Sequence, residues 1–70
     1  MSKKVNYLIS TIRDNDVCDG VELEGYLSLI SDIICQFDAD VAIQVMEGLS
    51  ECYGDMATNQ AMAIKVNYGY

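Results

Sequence analysis

The sequence predicts an all-α fold, a small bundle of three to four short helices, and three observations lead to it. Apolar residues recur at helical spacing in successive segments, polar or glycine-containing clusters separate those segments, and the 70 residues include no proline. The expected helices span about residues 3–13, 21–37, 40–53 and 55–66.

The first segment, VNYLISTI, sets Val5, Leu8, Ile9 and Ile12 at i, i+3, i+4 and i+7, with Ser2 available as an N-cap. The polar run DNDVCDG then reads as a loop. From Val21 the pattern resumes. On a helical wheel Leu23, Tyr26, Leu27, Leu29, Ile30, Ile33, Ile34 and Phe37 cover an arc of roughly 160°, wide for a single packing partner. Asp38-Ala39-Asp40 offers capping oxygens where the pattern resets. In the third segment Val45, Leu49 and Cys52 face one way, while Asp40, Gln44, Glu47 and Glu51 fall on the other side. Gly54 suits the residue after a helix C-terminus, and Asp55 could cap a last helix.

One alternative remains open at this level. The string KVNY occurs at 4–7 and again at 65–68, and Ile64, Val66, Tyr68 and Tyr70 alternate with polar or glycine positions, which is the strand signal. Paired terminal strands would make the fold α+β. Nothing around the two tetrapeptides aligns, so duplication does not explain them.

A single domain of this size buries only about 60% of its unfolded surface, so its core alone gives marginal stability. Yet 51% of the residues are hydrophobic. More apolar side chains than a small interior can hold point to a homodimer or to docking on a larger protein. Leu29 and Ile43 lie off the main apolar faces; with the half-polar rings of Tyr26 and Tyr53 they are the candidates for self-association.

Cysteines at 18, 35 and 52 are odd in number, and the chain shows no signal-peptide pattern at its start. The expectation is free thiols in a reducing cytoplasm, the host cell's if the chain is phage-encoded, with the thiols serving as small buried hydrophobes. There is no histidine and no Cys-x-x-Cys, so no metal site and no cofactor is expected. The loop Asp14-x-Asp16-x-x-Asp19-Gly20 resembles an EF-hand start, but its glycine falls one residue late and the position for the bidentate glutamate is Gly25. Catalysis is not expected either. No serine or cysteine has a base in a readable motif, and so short a chain encloses little.

Charge carries the functional signal. The net charge is −7, but all eleven acids lie between Asp14 and Asp55, an interval of 42 residues without a lysine or arginine. Direct nucleic-acid binding and anionic membranes are poor fits for such a surface; a basic protein surface is a good one. Asp40, Glu47 and Glu51 share one helix face over about 16 Å, and Asp32, Glu24, Glu22, Asp14, Asp16 and Asp19 could extend the field. Rows of negative charge on a rigid frame imitate a phosphate backbone. In size and charge the chain is similar to small acidic inhibitor proteins carried by phages and mobile elements. The leading expectation, from the charged rows, is a non-enzymatic inhibitor whose acidic face docks on a basic, nucleic-acid-binding surface of another protein and blocks it as a mimic. The alternatives are a small helical homodimeric adaptor or regulator acting through apolar faces, and a calcium-responsive loop protein.

Overall fold

Helical periodicity sets every element among the described residues. A computed structural model describes residues 3–15 and 20–69. These residues form four helices and no strand: α1 (Lys3–Asp14), α2 (Val21–Cys35), α3 (Ala39–Tyr53) and α4 (Asp55–Asn67). The radius of gyration, 10.9 Å, is close to the roughly 11 Å of a fully packed chain of this length.

The organising element is α3, which packs against each of the other three helices. Its buried side chains, Ala42, Ile43, Val45, Met46 and Leu49, span about 160° of the helix circumference at 100° per residue. Val5 and Ile12 of α1, Leu23 and Leu27 of α2, and Ala57, Ala61 and Ile64 of α4 close around them. The alanines at 57 and 61 let α4 approach α3 closely, which compensates for the weak amphipathic pattern of that segment.

Helix ends follow local chemistry. Asp38 has an extended backbone, and its Oδ1 accepts hydrogen bonds from the N–H groups of Asp40 (3.0 Å) and Val41 (3.4 Å), an N-cap for α3. Because Asp38 must be extended, α2 cannot run to residue 37 as the apolar spacing suggested. It ends at Cys35, and the N–H groups of Phe37 and Asp38 close the turn on the Ile34 carbonyl. Gly54 alone joins α3 to α4. At φ 64°, ψ −136° it sits where side chains are strained, and its N–H donates to the Ser50 carbonyl (2.8 Å). On α1, Asn15 closes the last turn through its N–H to the Ile12 carbonyl, while its side-chain amide donates to the Tyr26 hydroxyl of α2 (2.7 Å).

The strand alternative is corrected here. Both KVNY strings lie in helices up to Asn67, and the Tyr68 N–H donates to the Ile64 carbonyl (3.0 Å). Ile64 extends the buried i, i+4, i+7 series begun by Ala57 and Ala61, whereas the alternating Val66 is 80% exposed and Tyr68 is exposed too. Burial at helical spacing therefore outweighs the alternation. Ser2 and Tyr70 lie outside the described residues.

Candidate functional site

An α-helix with three neighbours has only a narrow side left for solvent. On α3 that side carries Asp40, Gln44, Glu47 and Glu51, at i, i+4, i+7 and i+11, all exposed and directly opposite the buried arc. Three of the four positions are carboxylates. Their frame is the best-packed helix of the fold, so the charges are held in a row about 16 Å long rather than on a mobile loop. One cation enters the row: Lys65 Nζ of α4 lies 3.1 Å from Glu47 Oε2. Both side chains are about half exposed, so the pair contributes at most about 1 kcal/mol to stability.

The remaining predicted acids divide among other features. Glu22 and Glu24 are exposed in the first turn of α2, beside the partial positive charge of its N-terminus. Gly20 supplies no side-chain cap there, so these carboxylates have a local structural role in addition to any field they project. Asp14 is exposed at the end of α1. Asp32 lines an open polar groove of about 710 Å³ between α2 and α4, with Ser28, Ser31, Gln60 and Tyr68. Asp16 and Asp19 lie outside the described residues, as does Cys18. Among the described residues no three cysteine or carboxylate side chains gather in a way that could hold a metal ion.

The thiols do not follow the expectation of uniform burial. Cys52 is exposed although it shares the helix face of Val45 and Leu49, because it lies in the last turn of α3, and Cys35 is half-buried at the wall of the polar groove. Burial pushes the Cys35 thiol up from its ordinary value. Hydrogen bonding from Ser31 and Tyr68 opposes that rise, and the charge of Asp32 adds to it. A raised thiol is less ionised at neutral pH, so Cys35 is not activated toward reaction as a thiolate.

Of the self-association candidates, Leu29 is 58% exposed, and Tyr26 and Tyr53 are half-buried against the core. Ile43 is corrected: at 6% exposure it is part of the core and cannot meet a partner. A helix with one neighbour would have left it outside, but α3 has neighbours on several sides. The sequence reading also missed Phe37, which is 82% exposed. It occupies the position just before the Asp38 cap, where an apolar side chain ordinarily staples to the fourth helical residue. That residue is Ala42, short and fully buried, so the ring finds no staple. A second groove opens beside it: about 360 Å³, framed by α1, the end of α2 and the start of α3.

No described helix is long and apolar enough to cross a membrane. Compared with known proteins, the chain matches no family model, no curated protein and no solved structure. The fold and site thus define a small acidic four-helix protein with a row of carboxylates on its central helix.

Proposed function

We propose that this is a non-enzymatic binding protein whose acidic face docks on a basic, nucleic-acid-binding surface of another protein and blocks it as a nucleic-acid mimic. The observation that carries this reading is the exposed row Asp40–Gln44–Glu47–Glu51 on the helix that all the others pack against. Rigid carboxylates at fixed spacing meet lysines and arginines without the ordering cost of a flexible tail. Glu22, Glu24 and Asp32 add negative field from α2. In size and charge the chain is similar to small acidic inhibitor proteins of phages and mobile elements. The free thiols Cys35 and Cys52 support a reducing compartment, the cytoplasm, as the place of action.

The test uses the full chain immobilised in a cell lysate, compared with the triple variant Asp40→Asn, Glu47→Gln, Glu51→Gln. The expected result is capture of a basic nucleic-acid-binding protein at about 50 mM salt, falling steeply by about 200 mM. The triple variant should bind that protein at least about 100-fold more weakly. The purified chain should also displace nucleic acid from it. Undiminished binding by the triple variant would sink the proposal.

A further inference from the structure

We propose that the chain pairs with a second copy of itself through the apolar groove between α1 and the end of α2, each copy seating its Phe37 in the groove of the other. This interface is separate from the acidic row on α3, and it does not depend on the function proposed for that row.

The groove wall is apolar: Leu8 of α1, Ile33 and Ile34 of α2, and Val41 of α3, with Phe37 at its edge. Phe37 is 82% exposed and Ile33 45% in the lone chain, which leaves a patch of aromatic and aliphatic surface beside an unfilled hollow. A projecting ring next to its own receptor hollow suits a closed pair. Under a two-fold rotation, ring enters hollow twice and nothing is left over, whereas a ring and hollow on opposite sides of a molecule would build open chains.

Charge selects the occupant. The two polar residues of the groove are Lys4 and Asp38, one of each sign. A patch bearing both signs is complementary to itself, because the two-fold rotation can bring Lys4 of one copy toward Asp38 of the other. Elsewhere a second copy meets repulsion, since association doubles a net charge of −7. Of the four basic side chains, Lys65 is engaged with Glu47, and the other three, Lys3, Lys4 and Arg13, all belong to α1. The α1 side is therefore where two acidic molecules can approach.

The position of Lys4 adds an independent argument. Lys3 and Lys4 open α1, where the helix dipole disfavours positive charge, and no acid occupies that first turn. Local helix energetics would put Asp or Glu there, as they do in α2, α3 and α4. A residue that costs its own helix stability while lining a groove has a reason to be found outside the helix.

The experiment measures molecular mass by sedimentation equilibrium on the full chain, from about 5 to about 500 µM. The wild type is expected to show twice the chain mass at the upper end. Phe37→Asp should weaken association at least about 100-fold, and Lys4→Glu at least about 10-fold, with helical circular dichroism retained in both. Leu29→Asp, an exposed apolar site outside the groove, and the pair Glu47→Gln, Glu51→Gln should leave association within about three-fold of wild type. A wild type that stays monomeric at about 500 µM overturns the proposal. So does a dimer that survives Phe37→Asp, one that Leu29→Asp disrupts instead, or a monomer whose groove takes an apolar helix of a different protein.

Discussion

At the scale of single residues, two glycines carry opposite expectations. Gly25 lies inside α2 with ordinary helical backbone, and a Cβ built there meets nothing within 4 Å. Alanine loses less backbone freedom on folding, so Gly25→Ala should raise stability by about 0.5–1 kcal/mol. At Gly54 the same open space surrounds the position, but φ is 64° and ψ −136°. Gly54→Ala should cost about 1–3 kcal/mol in backbone strain. Urea unfolding midpoints read both effects, and two midpoints moving in the same direction would contradict the account. The sequence shows Gly54 for what it is, because it follows an apolar pattern and precedes an aspartate. It shows Phe37 poorly. Spacing alone assigns that ring to the α2 arc; its actual surroundings depend on the cap at Asp38 and on the small size of Ala42 four positions beyond the cap.

Elements were legible where burial repeats at helical spacing, and less so at their ends and edges. The four helices were expected at about 3–13, 21–37, 40–53 and 55–66, and they occur at Lys3–Asp14, Val21–Cys35, Ala39–Tyr53 and Asp55–Asn67. The largest boundary error, at the end of α2, comes from capping, a competition among hydrogen bonds that periodicity does not weigh. Ile43 was misread because a helical wheel shows which side is apolar but not how many neighbours a helix has. The pairing of Lys65 with Glu47, 18 residues apart, could not be read from the sequence at all, since it depends on how α4 lies along α3. That pair supplies a test at this scale. Lys65→Gln removes the one cation paired within the α3 row, so affinity for a basic partner should rise about two- to five-fold at low salt. Stability should fall by no more than about 1 kcal/mol. A variant that binds more weakly would mean that the row is not the docking face.

For the molecule as a whole, the acidic composition has two causes that sequence counting merges. Glu22, Glu24, Asp38, Asp40 and Asp55 lie at N-caps or first turns, where the helix dipole favours them. Glu47, Glu51 and Asp32 have no such local reason, and the docking row proposed above draws on the α3 members of that set together with Asp40. The packing is similarly uneven. Among the described helices, α1 packs closely against α3 alone, with the Asn15–Tyr26 hydrogen bond as its tie to α2, whereas α2, α3 and α4 all touch one another. The one-sided attachment of α1 makes it the separable part of the fold, a unit able to open while the other three helices stay closed. Native-state hydrogen exchange should show the amides around Val5 and Ile12 opening at least about 10-fold more readily than those around Met46 and Leu49. Equal protection throughout would show instead that the bundle opens only as a whole. Because α1 also forms one wall of the groove assigned to a second copy, its protection should rise with protein concentration, tying the local order of one helix to mass action between molecules.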